Sequence, residues 1–319
     1  MDLQNLNKLQ LKISVVIPCF NESLGIKISH ERLYQVLHSN FNNFEILYIN
    51  DGSTDNTKKC LSEIANGCKE SKIIHFSRNF GHQSAVSCGI KNASGDYIII
   101  MDADLQDPPE EIPKMVSLAI EQNANGVYGV RKSRKGESFF KKITAKYFYR
   151  LINKLSEVEF PLDTGDFRLI DRNIANEFKN FGESHKYIRG IISWIGYKQI
   201  PHYYHRDSRI AGETNYSISK MFQFAIRGIS YFSKKPLQMA TNIGLILVIG
   251  SFLMLIMQFL KWMYHPNDFV MGWISLFTAI VFFGGIQMLT IGILGTYIGN
   301  IFDEVKNRPE YIIESRENE

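Results

Sequence analysis

Cysteine is scarce in this chain of 319 residues. The four present (Cys19, Cys60, Cys68 and Cys88) form no CxxC pair and show no zinc-ligand spacing. Sulfur-held metal is therefore disfavoured, and free thiols in a reducing compartment are the simplest account. A net charge of one strong sign is also missing. With 36 basic against 32 acidic residues the formal balance is +4, which does not point to nucleic acid as a partner. The opening residues MDLQNLNKLQLK contain no apolar run, so no signal peptide is read there, and roughly the first 235 residues are expected on the cytosolic side. GxGxxG and GxxxxGK[ST] are both absent, so dinucleotide and P-loop binding lack their signatures.

What is present begins with alternation. Short β-branched apolar runs at 12–20, 44–50, 72–77, 96–102 and 126–131 alternate with amphipathic stretches of helical length at 25–38, 55–66, 82–93 and 110–122. This pattern predicts an α/β fold, a mostly parallel sheet with helices on both faces. Such sheets bind ligands at the carboxyl ends of their strands.

The back half changes character. Pro236–Leu260 is 25 residues without a charge and Phe269–Phe302 is 34. As helices at about 1.5 Å per residue, both are long enough to cross a hydrocarbon core of about 30 Å. Lys234 and Lys235 before the first run and Lys306 and Arg308 after the second place both ends inside and the link 261–268 outside. Residues 217–235 carry an apolar stripe with Lys220, Arg227 and Lys234 on another face, the build of an interfacial helix. The organisation expected is a catalytic domain over 1–215, an interfacial helix over 216–235, two transmembrane helices within 236–302 and a cytosolic tail over 303–319. Between Arg131 and Lys154 lie nine Lys/Arg against one acid, Glu137, a cluster suited to anionic head groups.

Chemistry gathers where strands end. The first ends in PCFNES, where Asn21 and Glu22 suit a base or ribose. The second ends in NDGSTDNT, where Asp51 could accept from a nucleobase or ribose and Asp55 suits a helix N-cap. The fourth runs straight into Asp102-Ala103-Asp104, with Gln106 and Asp107 beyond. Carboxylates so close repel one another. A divalent Mg²⁺ or Mn²⁺ would relieve that repulsion and take diphosphate oxygens as its other ligands.

The stretches VVIPCFNES, NDGSTDNT, RNFGHQSAVSCGIKNASGDYIIIMDADLQDPPE, DTGDFRLIDR and RIAGETNYS resemble, in order, the family-2 glycosyltransferases with the GT-A fold. The nearer likeness is to their polyprenyl-phosphate branch, which includes dolichol-phosphate-mannose synthase and undecaprenyl-phosphate (bactoprenol) glucosyltransferases. It extends over nearly the whole chain, both apolar runs included. At 211–217 the chain reads AGETNYS where relatives read closer to AGESKYS, so Asn215 stands in place of a lysine.

The resemblance implies roles by position. Pro18, Glu22 and Asp51 would hold the uridine part. Asp102 and Asp104, with Gln106, would bind metal and diphosphate. Asp166 would sit near the sugar and acceptor, so that Asp166 and Asp104 are the catalytic candidates. Arg131, Arg134, Arg206 and Arg209 would meet the lipid phosphate or diphosphate; Arg168 is either a weaker member of that set or a salt-bridge partner of Asp166 or Asp171. The implied reaction is inverting, metal-dependent transfer of a sugar, glucose first, from a UDP-sugar to polyprenyl phosphate at the cytosolic face of a bacterial inner membrane. N-acetylglucosamine, mannose and an amino-arabinose are the alternative sugars. The tail's YII (311–313) could add to a neighbour's sheet, which favours a homo-oligomer, a tetramer as in relatives. A polysaccharide-building transferase is disfavoured by having only two spans and no QxxRW-like motif. A catalytically idle membrane scaffold is disfavoured by the intact aspartate pair.

Overall fold

The computed structural model describes residues 10–131, 164–183, 186–205, 235–264 and 272–318. Its first elements follow the predicted alternation: β1 Lys12–Cys19, α1 Ile26–Asn40, β2 Asn43–Asn50, α2 Thr57–Gly67, β3 Ser71–Phe76, α3 His82–Asn92 and β4 Tyr97–Ile100. A 3₁₀ turn at Pro109–Glu111 leads into α4 Ile112–Glu121, where prolines near both starts cost no hydrogen bond. Then come β5 Gly126–Arg131, β6 Thr164–Asp171, α5 Arg172–Lys179, α6 Ile188–Ile195 and β7 Gln199–Tyr204. Two long helices, α7 Lys235–Tyr264 and α8 Trp273–Val305, precede the last strand, β8 Ile313–Glu317.

Among the described residues the strands form one eight-stranded sheet in the order β7-β5-β6-β4-β1-β2-β3-β8. The centre, β4-β1-β2-β3, is parallel. β6 enters antiparallel between β4 and β5, and β5 pairs parallel with β7. The strand expected at 126–131 is thus present, but β6 separates it from β4.

Side chains on β1 divide by parity. Ile13, Val15, Ile17 and Cys19 join Leu33 and Leu37 of α1, Leu61 of α2 and Met115 of α4 in one core. Val16 points to the other face, onto α3, where a Cβ at Gly89 would land inside the Val16 side chain. With helices covering both faces, β1 and β2 read as unbroken apolar runs rather than alternating ones. A carboxylate is also buried here: Glu45 accepts from Ser14 Oγ at 2.6 Å and from the Ser94 backbone N–H at 2.7 Å, and lies 3.0 Å from Lys72. Burial opposes its charge, but these hydrogen bonds hold its pKa down at about 2.

The chain divides into two compact units. One comprises Met1–Tyr149, Val158–Tyr216 and Arg308–Glu319; the other comprises Arg150–Glu157 and Ser217–Asn307. The tail strand β8 pairs antiparallel with β3 of its own chain, Ile73 opposite Glu317 and His75 opposite Ser315. Of the YII stretch read as an added strand, only Ile313 lies in β8, and β8 takes up the edge of β3. Tyr311 stacks on Phe76 with ring centroids 4.9 Å apart, which fixes the approach to that edge.

In the second unit, α7 and α8 expose large apolar side chains, among them Leu245, Ile246, Met257, Ile280, Met288 and Ile298. Among the described residues, one stretch, Phe282–Val305, is long and apolar enough to cross a membrane. The reading of 216–235 as an interfacial helix, and most of the basic run 131–154, lie outside the described residues.

Candidate active site

Strand register builds the site. β4 and β6 pair with Ile100 opposite Arg168. Continuing that ladder by two residues brings Asp102 opposite Asp166. Two carboxylates so placed repel, and the structure sets an imidazole and a guanidinium beside them. His82, the first residue of α3, puts Nε2 3.2 Å from Asp166 Oδ2 and 4.0 Å from Asp102 Oδ1. Arg189, on the first turn of α6, donates from Nε to Asp166 Oδ1 at 2.7 Å. Asp166 is therefore held between an imidazole and a guanidinium.

The electrostatics follow. Burial alone would raise the pKa of Asp166, but the His82 hydrogen bond and the Arg189 charge outweigh it and hold the carboxyl well below its usual range. Burial would lower the pKa of His82, yet the Asp166 hydrogen bond and the Asp102 charge raise it. Asp102 goes the other way. Burial first, then the charges of Asp166, Asp107 and Asp104, push its carboxyl up to about 6, with His82 opposing. Two aspartates a strand apart are thus driven in opposite directions, a pattern typical of functional sites.

Past β4 the loop is strained. Leu105 is buried and sits at φ 55°, a rare conformation for a bulky residue. Ala103 and Leu105 turn into the core while Asp102, Asp104 and Gln106 stay partly exposed. Asp104 accepts from the Gln106 backbone N–H at 3.1 Å. Asp107, fully buried, takes a short hydrogen bond from the Tyr204 hydroxyl.

Two further loops lie at the carboxyl ends of β1 and β2. Asn21, at φ 56°, accepts from the Thr54 backbone N–H at 2.9 Å and donates its own N–H to Ser53 Oγ at 3.1 Å. Glu22 donates its backbone N–H to Thr57 Oγ1 at 2.8 Å and is half-buried. Pro18 is buried at the end of β1, opposite Ile49. Asp55 accepts from the Thr57 N–H at 3.0 Å and the Ser23 N–H at 3.2 Å and so ties the two loops together, but the N-cap of α2 is Asn56, one residue later than expected. Asp51 is buried and accepts from the backbone N–H groups of Phe80 (2.6 Å) and Gly81 (2.9 Å). It thereby fixes the turn that starts α3 and presents His82. Gly52 is obligatory beside it: at φ +62° any Cβ would collide with the Arg78–Asn79 backbone.

The structure distributes the arginines differently from expectation. Arg131 lies across Gly165 with Nη2 4.0 Å from buried Asp107, and so is part of the Asp107–Tyr204 cluster. Arg168 is 5% exposed and donates to the Gly165 carbonyl at 3.5 Å. Burial and the neighbouring Arg189 lower its pKa to about 10. The salt bridge considered for Arg168 is not made. Asp166 pairs with Arg189, and Asp171 caps α5 through the Ile174 N–H at 2.9 Å. Arg134, Arg206 and Arg209 lie outside the described residues.

His82 and Arg189 were not singled out from the sequence. His82 had a usable signal, since it opens the helix after β3 and so sits at a strand's carboxyl end. Arg189 had none, because only the fold of α6 brings it to Asp166.

The donor set fits a divalent cation in its chemistry: two partly exposed carboxylates, one destabilised as an anion by its surroundings. Among the described residues no three His, Cys, Asp or Glu side chains converge as a ready-made metal cage, so other ligands would have to come from a substrate.

Residues 14–178 match the model of glycosyl transferase family 2. The chain is 43% identical over 305 residues to the uncharacterized glycosyltransferase YkcC of Bacillus subtilis, covering 95% of this chain and 94% of that protein. It is 38% identical over 303 residues to a prophage bactoprenol glucosyl transferase homolog of Escherichia coli, covering 95% and 98%. To the bactoprenol glucosyl transferase of Shigella phage SfX it is 36% identical over 306 residues, covering 96% and 100%. Among solved structures, glucosyl-3-phosphoglycerate synthase of Mycobacterium tuberculosis matches 72% of this chain and 80% of its own at 17% identity and a TM-score of 0.49, too remote to inform the site. The chain belongs to glycosyl transferase family 2 and is a glycosyltransferase.

Proposed function

We propose that this protein transfers a sugar, glucose in the first instance, from a UDP-sugar to polyprenyl phosphate at the cytosolic face of a bacterial inner membrane. The observation that carries the reading is the four-residue constellation Asp102, His82, Asp166 and Arg189 at the carboxyl end of the sheet. Relatives that match this chain from end to end and are named for bactoprenol support the lipid acceptor.

Asp102 and Asp104 would hold a divalent ion, with Mg²⁺ and Mn²⁺ the candidates. When bound, it would offset negative charge on the departing diphosphate. The loops around Pro18, Glu22 and Asp51 would hold the nucleotide, with Asp51 acting mainly by fixing the turn at Phe80–Gly81. Asp166, kept ionised by Arg189 and His82, is a poor proton acceptor. That suits the chemistry, because a phosphate monoester is already an anion at pH 7, its second pKa being about 6, and needs no strong base. Asp166 therefore positions sugar or acceptor. Attack from the face opposite the leaving group converts an α-linked donor into a β-linked lipid phosphate sugar.

Two membrane helices fit the charge-free runs of both long helices and the apolar side chains they expose. Product analysis with a panel of UDP-sugars and undecaprenyl phosphate tests the reading. A β-linked glucosyl lipid phosphate is expected, and an α anomer would refute the inverting course.

A further inference from the structure

The tail strand β8 ends in a hydrogen-bond relay that runs to the loop after β2. We propose that Glu317 and His75 are positioning residues for that loop, acting through Asn50, and so set the affinity for the donor nucleotide. This rests on the reading above that residues 18–23 and 50–57 hold the donor.

Each link has a defined direction. Asn50 Oδ1 accepts from the Ser53 backbone N–H at 3.1 Å. Its Nδ2 therefore faces His75 Nδ1, 3.0 Å away, and donates to it. His75 then carries its proton on Nε2 and gives it to Glu317 Oε1 at 2.9 Å. Beyond Ser53 the order continues: Ser53 Oγ accepts from the Asn21 N–H, and Asn21 Oδ1 accepts from the Thr54 N–H. A carboxylate on the last strand thus orients an amide on the second, and that amide fixes the backbone of both loops.

Placement argues for a positioning role. His75 is fully buried and Asn50 nearly so. Burying two polar side chains in a sheet is costly unless every donor and acceptor is matched, and a pair of apolar residues would hold β2 to β3 without that cost. What the polar pair adds is a fixed orientation for Asn50 Oδ1. The strand also has its own anchor. Asn318 Nδ2 donates to the carbonyls of Ala65, Cys68 and Ser71 at 2.6, 3.2 and 3.0 Å. Loss of the Glu317 carboxylate therefore leaves β8 in place. It removes the last link of the relay and the acceptor of the Ser62 hydroxyl on α2, 2.7 Å away, so Ser62→Ala, which loses only that second contact, should leave exchange of 50–56 as in wild type.

The experiment uses the full chain in lipid nanodiscs, comparing wild type, Glu317→Ala and Glu317→Gln. Hydrogen exchange of residues 50–56 is followed without ligand, and UDP affinity and steady-state kinetics are measured with Mn²⁺. Glu317→Ala should speed exchange of this segment by about tenfold and raise the UDP Kd and donor KM by about five- to tenfold, the worth of one buried hydrogen bond. kcat should stay within about twofold. Glu317→Gln, whose amide oxygen still accepts from His75, should behave as wild type. Unchanged exchange in Glu317→Ala overturns the relay whatever the nucleotide does. Equal effects in the Ala and Gln variants overturn it too, since they would mean a general loosening of the strand. Wild type that binds no UDP sinks the donor reading instead, a result independent of the exchange rates.

Discussion

Arg189 and Asp166 meet at 2.7 Å from elements 23 residues apart, α6 and β6, and the contact decides what Asp166 can do. A carboxylate held by a guanidinium on one oxygen and an imidazole on the other stays charged and stays oriented. Replacing Arg189 with Ala should lower kcat by about 10²-fold, because a misplaced reacting group costs that much. Arg189→Lys, which keeps charge but not the fork geometry, should recover only part of it. Steady-state kinetics of the two variants at saturating donor check this.

Asp166→Asn tests positioning against base catalysis. The amide keeps the shape but loses the charge that holds His82 and Arg189. We expect turnover about 10²-fold lower with a pH–rate profile unchanged in shape. Near-wild-type turnover would remove Asp166 from the mechanism, and loss of the acidic limb of the profile would restore a general base.

Glu45 should mark acid stability. Its pKa is depressed to about 2, against about 4.3 for a free glutamate. For such a group the folded state binds fewer protons than the unfolded chain. Its stabilisation is therefore complete above the unfolded pKa and is lost as pH falls through the folded one, between about pH 5 and pH 2. Glu45→Gln should flatten the decline of the unfolding midpoint over that window. Glu45→Ala, which leaves Ser14 and the Ser94 N–H without their buried acceptor, should cost about 3 kcal/mol at neutral pH. Thermal unfolding in detergent across pH 6 to 3 reads both.

Gly89→Ala should destabilise through overpacking, by about 1–3 kcal/mol, because the new methyl would occupy the Val16 side chain's space. Val16→Ala on the same chain should recover much of that loss, giving a coupling energy of opposite sign. Chemical denaturation of the two single variants and the double variant measures it.

Much of the sheet was legible because β1 to β4 are buried on both faces and give way within two residues to polar loops. Asp102 and Asp104 could be placed because a strand of consecutive isoleucines must end before two carboxylates. β6 was harder to place: DTGDFRLID mixes charge with apolar residues, since Asp166 and buried Arg168 share one face of the strand while Phe167 and Leu169 face the core. Its antiparallel entry between β4 and β5 has no local signature. The neighbour of Arg131, Asp107, was not legible from the sequence, because only the turn after β4 brings it near. The tail was legible as a strand but not as a partner of β3, because pairing over more than 230 residues depends on which edge is left free.

The most direct test of the central claim is titration of the purified full-length protein with UDP-glucose in the presence and absence of Mn²⁺, alongside Asp102→Asn. We predict micromolar binding that needs the metal in the wild type and falls by at least about tenfold in the variant, the loss of one charged ligand. Failure of the wild type to bind UDP-glucose or any other UDP-sugar with Mn²⁺ or Mg²⁺ would contradict the account.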